Sequence, residues 1–209
     1  MKWLLLVSSL VVIALLAASA KSVLFTEWRQ HQNEYRKLLL VKADDDPGRE
    51  SAARYEVALQ QVVVPELNAT DRCVSCHTGI DDARMAGQRQ PYRAHPRRLL
   101  EYHPVSKFGC TVCHRGQGLA TTNEDAKAVH AYWDYPMLPG RMAQASCAQC
   151  HDPLSLKGRG GDVLALGAGL FEERGCRSCH KLGERGGSLG LALNDEGRKV
   201  IHQFILTDL

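Results

Sequence analysis

The sequence predicts a mainly α-helical chain with extensive loops, and three observations carry that expectation. An uncharged apolar run, Trp3 to Ala20, opens the chain between Lys2 and Lys21. Strand-like alternation is scarce, and aromatic residues make up only 6% of 209, so a conventional core would be thin. The pentapeptide C-x-x-C-H occurs four times: Cys73-Val-Ser-Cys76-His77, Cys110-Thr-Val-Cys113-His114, Cys147-Ala-Gln-Cys150-His151 and Cys176-Arg-Ser-Cys179-His180. These copies use all eight cysteines.

Two thiols three residues apart lie on one side of a helical turn, with a histidine next in line. That is the pattern for covalent haem attachment. The cysteines bond the two vinyl groups, and His77, His114, His151 and His180 become proximal iron ligands. Four haem c groups are therefore implied, and the fold is expected to be organised around them, behind an N-terminal transmembrane helix. A zinc ribbon would also use paired C-x-x-C motifs, and disulfides are possible in an exported chain. Neither needs a histidine directly after every second cysteine.

The N-terminal run spans eighteen residues, barely enough to cross a bilayer. Val23, Leu24 and Phe25 could extend it, with Lys21 snorkelling to the interface. Ala18-Ser19-Ala20 also fits a signal-peptide cleavage site. A retained anchor is the favoured expectation and a cleaved signal the alternative. Either places the rest of the chain outside the cytoplasm, in the periplasm or on the outer face of a bacterial cytoplasmic membrane.

Four segments follow. Residues 1–25 are the anchor or signal, and 26–70 a helical stalk and linker. Residues 71–157 form a three-haem region, and 158–209 a fourth-haem region. Helical spacing of Val23, Leu24, Trp28, His31, Tyr35, Leu38 and Leu39 predicts one helix over 22–42 that continues the apolar run. Trp28 and Tyr35 would suit the membrane interface or a partner subunit. Asp44 to Gly48 ends that helix, a polar helix follows from 49, and Val62-Val63-Val64 reads as a short strand. Asn68 to Asp71 would cap the first motif. Gly158-Arg159-Gly160-Gly161 reads as a flexible linker before the last motif.

Each iron has a second axial place. The candidates are His95, His103, His130 and His202, with His31, Met85, Met137 and Met142 behind them. Histidine ligation favours low potential and methionine higher potential. The sequence leaves open which residue would serve which iron. The formal charge of +3 omits the haem propionates, for which Arg93, Arg97, Arg98, Arg115 and Arg141 are candidate partners. Nothing favours nucleic acid as a partner, and no hydrolytic triad, phosphate loop or carboxylate pair stands out.

Residues 163–199 resemble the start of a class I cytochrome c: a helix from Leu164 to Phe171, then Gly175-Cys176-Arg-Ser-Cys179-His180, then Gly186-Gly187-Ser188-Leu189-Gly190. Leu191 stands where that family has proline, and no methionine follows His180. More broadly, Arg72 to Gly79, Phe108 to Gly118 and Gln144 to His151 resemble the multihaem cytochrome c subunits of bacterial cytochrome bc-type quinol-oxidising complexes. The resemblance covers about residues 70–205. It implies electron relay from a membrane complex to a soluble or membrane-bound acceptor. A second resemblance is to the NapC/NrfH tetrahaem quinol dehydrogenases, whose first motif follows its anchor more closely. A haem enzyme with one open iron is the alternative of another class, at the last motif.

The motif count predicts that mature protein carries four covalent haems per chain. Pyridine haemochrome assay and intact mass should return that number, and zinc or unmodified cysteines would refute it.

Overall fold

The computed structural model describes residues 2–96, 99–129, 133 and 135–194, apart from the side chain of Ser22. His130, His202, Arg97 and Arg98 lie outside the described residues. The chain is mainly helical, with an apolar N-terminal helix and one two-stranded sheet among the described residues. It divides into two compact units, Met1–Gln60 with Val74–Ala94 and Gln61–Cys73 with His95–Leu209. Each unit joins stretches that the sequence places in separate segments.

In the first unit, helix α1 runs Lys2–Leu24. Its stretch Lys2–Lys21 is long and apolar enough to cross a membrane, a test that a signal sequence also passes, and none of it is buried. Twenty residues at 1.5 Å rise span about 30 Å, the thickness of a hydrocarbon core. Helix α2 covers Glu27–Val41. The single helix expected over 22–42 is interrupted at Phe25 and Thr26, with Thr26 in extended conformation as the N-cap. The interruption lets α2 turn a separate face inward. Trp28, Gln32, Tyr35 and Leu39 are its buried residues, a spacing of four, three and four that lines one side of a helix. Trp28 and Tyr35 are therefore core residues of this unit and not exposed at an interface, because that periodicity is satisfied internally.

Helix α3 spans Asp46–Ala53, starting earlier than the polar helix expected from 49. Asp45 caps it, accepting a hydrogen bond from the Gly48 amide at 2.8 Å, with Pro47 in the first turn. The core here is Tyr35, Leu39, Ala52, Met85 and Tyr92, flanked by Leu38, Tyr55 and Ala94. Tyr35 meets Tyr55 edge-on at 5.4 Å between ring centres, and its hydroxyl donates to Asp82 at 3.0 Å. Burial and the Asp82 carboxylate push the Tyr35 phenol well above its ordinary range, so it stays a donor.

In the second unit, β1 (Val62–Val64) and β2 (Ala69–Asp71) pair antiparallel, with Val62 opposite Asp71 and Val64 opposite Ala69. Residues 65–67 form a 3-10 turn between them, and Asn68 closes it in the left-handed region at φ 49°. Short helices follow: α4 Leu99–Tyr102, α5 Val105–Phe108, α6 Thr111–His114 and α7 Asn123–Lys127. A 3-10 segment covers Gly140–Gln149, another Pro153–Leu156, and α8 runs Asp162–Glu173.

Helix α8 packs on both 3-10 segments. Residues 158–161 are a tight turn, not the flexible linker expected: the Gly158 amide donates to Asp162 at 2.6 Å and the Val163 amide donates to Gln144 at 2.8 Å. Helix α8 therefore packs on both the segment that leads into the third motif and the 3-10 turn of the last one.

Met85 is fully buried. Met85→Ala should cost about 2–5 kcal/mol through lost contacts and the cavity left, read as a lowered midpoint in urea unfolding followed by Tyr and Trp fluorescence.

Candidate functional site

Three of the four C-x-x-C-H motifs share one backbone hydrogen bond, and the first opens on a 3-10 turn. The His114, His151 and His180 amides each donate to the carbonyl of their motif's first cysteine, at 2.9, 3.0 and 3.0 Å. Residues 73–75 form a 3-10 turn in the first motif. One helical turn brings the two thiols to one side and carries the histidine onward. The eight cysteines carry no disulfide. Cys73 and Cys110 are hydrogen-bonded neighbours, and this contact, with burial, pushes the Cys110 thiol up. Burial also raises Cys113 and Cys147. In a haem-loaded chain these sulfurs would be thioethers, for which apolar surroundings suit.

Asp71 organises the second motif. Its side chain is fully buried. One carboxylate oxygen accepts from the Cys110 amide at 2.5 Å and the Thr111 amide at 3.1 Å, and the other accepts from the Thr111 hydroxyl at 2.7 Å. These are orphan donors at the start of α6. Asp71 sits just before the first motif in sequence, where the sequence reading expected a cap for that motif. It caps the second instead, because the antiparallel hairpin carries β2 beside α6. Glycine is required around it: a Cβ at Gly109 would collide with one Asp71 oxygen, and at Gly118 would stand 2.5 Å from the other.

Gln32 plays the corresponding part in the first unit. It is completely buried. Its amide nitrogen donates to the Ala58 carbonyl at 2.8 Å and the Ser75 carbonyl at 3.0 Å, and its oxygen accepts from the Ala58 amide at 2.9 Å. The Ser75 hydroxyl donates to the Gln60 carbonyl at 2.7 Å and accepts from the Gln60 amide at 2.8 Å. Helix α2 is thus fastened to the interior of the first motif. Sequence reasoning missed Asp71, Gln32 and Ser75 in these roles. A polar residue on the apolar stripe of α2 was the available signal for Gln32.

Three histidine rings have backbone partners. A ligating imidazole commonly gives its second ring nitrogen to a backbone carbonyl, fixing tautomer and orientation. His180 Nδ1 lies 2.9 Å from the Leu191 carbonyl, His114 bonds the Leu138 backbone, and His103 Nδ1 lies 3.3 Å from the Leu99 carbonyl. The backbone carbonyl of Leu191 is the partner of the His180 ring. Gly190 allows this approach, since a Cβ there would stand 2.8 Å from the His180 ring. Burial lowers His95 and His114 below the usual imidazole range, with the charge of His114 adding to the effect on His95.

Two candidate distal residues face motif histidines. The His95 and His114 rings stand 6.4 Å apart at 71°, and His103 and His151 6.0 Å apart at 82°. The Nδ1 atom of His95 is buried and makes no hydrogen bond. The lesser candidates are placed otherwise. His31 Nδ1 lies 3.2 Å from the Tyr92 hydroxyl and Nε2 3.5 Å from Glu27. Met85 is in the core and Met142 is half exposed, while Met137 packs beside Gly116. Arg93 donates to the Gln88 carbonyl at 2.8 Å, Arg115 lies over the Tyr135 ring, and Arg141 is exposed.

Among the described residues, no group of three or more His, Cys, Asp or Glu converges as a metal site. A zinc held by protein alone needs at least three such ligands. A haem brings its own equatorial nitrogens and asks for only axial ones. The cysteine pairs, anchored histidines and facing rings fit that smaller requirement. No family model, curated protein or solved structure matches the chain.

Asp71→Ala leaves the Cys110 and Thr111 amides without their acceptor and should cost about 1–3 kcal/mol. Chemical unfolding should report that loss, while Asp71→Asn, which keeps an acceptor oxygen, should lose less.

Proposed function

We propose that the chain is a tetrahaem c-type cytochrome. It relays electrons from a quinol-oxidising or other respiratory or photosynthetic membrane complex to an acceptor on the periplasmic side. The observation that carries this reading is the fourfold C-x-x-C-H motif folded as a helical or 3-10 turn, with the His114 and His180 rings against backbone partners. Helix α1, apolar and unburied, suits an anchor in the bacterial cytoplasmic membrane, with the haem-bearing part outside it.

Cys73, Cys76 and His77 would hold the first haem. Cys110, Cys113 and His114 would hold the second, Cys147, Cys150 and His151 the third, and Cys176, Cys179 and His180 the fourth. A bound haem supplies reversible one-electron chemistry. The polypeptide supplies everything that tunes it. The Leu138 and Leu191 backbones fix the rings of His114 and His180. His95 and His114 are half-buried and stand ring against ring. Asp71 fixes the turn that presents Cys110, Cys113 and His114. No substrate bond is made or broken.

The likeness to cytochrome c subunits of bc-type complexes fits this role, with a NapC/NrfH-like quinol dehydrogenase as the second reading of the same class. The rival of another class is an enzyme with one open iron. Reduced protein exposed to carbon monoxide separates them. A relay with every axial place filled should show four low-spin haems and an unchanged spectrum. A shifted Soret band in about a quarter of the haem would identify an open site and favour the enzyme.

A further inference from the structure

We infer that His95 is the second axial ligand of the iron held by His114, and His103 that of the iron held by His151. The pairing rests on the haem reading of the motifs and goes beyond it, because the sequence leaves open which residue serves which iron. His95 and His103 both lie between the first and second motifs. The fold brings them beside the histidines of the second and third motifs.

Distance supports the pairing. An imidazole nitrogen lies about 1.1 Å from its ring centre and binds a first-row metal at about 2.0 Å. Two rings on opposite faces of one iron therefore stand about 6.2 Å apart. The two observed separations, 6.4 and 6.0 Å, bracket that value. Edge-to-face packing of rings occurs over a wider range, roughly 4.5–7 Å. His103 shows such a contact with Phe108, but at 4.9 Å, distinctly closer than its approach to His151. Each pair also unites a motif histidine with one from outside the motifs. His103 has its Nδ1 directed at the Leu99 carbonyl, which leaves Nε2 for a metal. His95 has a buried ring nitrogen that no protein group satisfies.

The second and third motifs are also neighbours. The Gln149 amide donates to the Val112 carbonyl at 3.1 Å, and Cys113 lies near Cys147 and Cys150. One short stretch of chain, 95–103, can therefore close two adjacent iron sites at once.

The test uses the full-length, haem-loaded protein and electron paramagnetic resonance of the oxidised form. Near-perpendicular ligand rings give low-spin ferric iron a strongly anisotropic signal at low field. Wild-type protein should show two such signals. His95→Met should abolish one and His103→Met the other, each bringing the red charge-transfer band of methionine-bound iron and a raised potential. The signal lost in His95→Met should be the one missing from Cys110→Ala/Cys113→Ala protein. That lost in His103→Met should be missing from Cys147→Ala/Cys150→Ala protein. A signal that responds to His95→Met yet persists without the second motif overturns the pairing. So does a wild-type spectrum without strongly anisotropic signals, which decides the matter if the variants are not recovered. Haem content measured first separates the two levels: a haem-free chain sinks the cytochrome itself, whereas four haems with unresponsive signals sink only the pairing.

Discussion

A buried carboxylate sets the geometry of the second unit. Asp71 has no access to water, and an unpaired charge there would be very costly. It is stable because three donors at the start of α6 converge on it. The exchange is mutual: the amides of Cys110 and Thr111 need acceptors, and the carboxylate needs donors. From that junction the second motif is fixed against the β1–β2 hairpin. The Arg72 amide donates to the Gly118 carbonyl at 2.7 Å, Leu138 to the His114 carbonyl at 2.8 Å, and Gly116 to the Tyr135 carbonyl at 2.9 Å. The chain on either side of α6 is thus tied down by further backbone bonds.

The same device recurs in the first unit with a neutral group. Gln32 uses both ends of its amide to join α2, the 58 region and the first motif. Polar anchors of this kind specify position more sharply than apolar packing, since a hydrogen bond fails within a fraction of an ångström. They suit a protein whose apolar core is small. Among the described residues, few large side chains are fully buried, while Leu154, Leu166, Leu189 and Leu191 are exposed around the third and fourth motifs. Exposed apolar surface of that kind asks for a cover. On the proposed reading, flat apolar porphyrins beside the motifs would provide it, and the polypeptide alone is a frame.

Much of the local structure was legible because short-range rules apply. The apolar run before Lys21, the helix at Leu164 to Phe171 and the strand at Val62 to Val64 follow from composition and spacing. Other features misled. Continuous periodicity across 22–42 hides the break at Thr26, because residues on both sides favour helix. Gly158 to Gly161 has the composition of a flexible linker, yet side chains of Gln144 and Asp162 hold it. Glycine permits a tight turn as readily as a loose one.

The sequence by itself determined the chemistry on offer. Cysteine and histidine spacing within five residues is a covalent fact, independent of how the rest folds. It also determined the apolar N-terminal helix, because length and hydrophobicity are local properties. Only the tertiary structure decided which motif Asp71 caps, that Gln32 is buried against Ser75, and that His95 and His103 face His114 and His151. Those partners lie 19 to 48 residues apart in the chain. Sequence spacing along a looping backbone does not encode proximity at that range. It is set by which buried polar groups can be satisfied together.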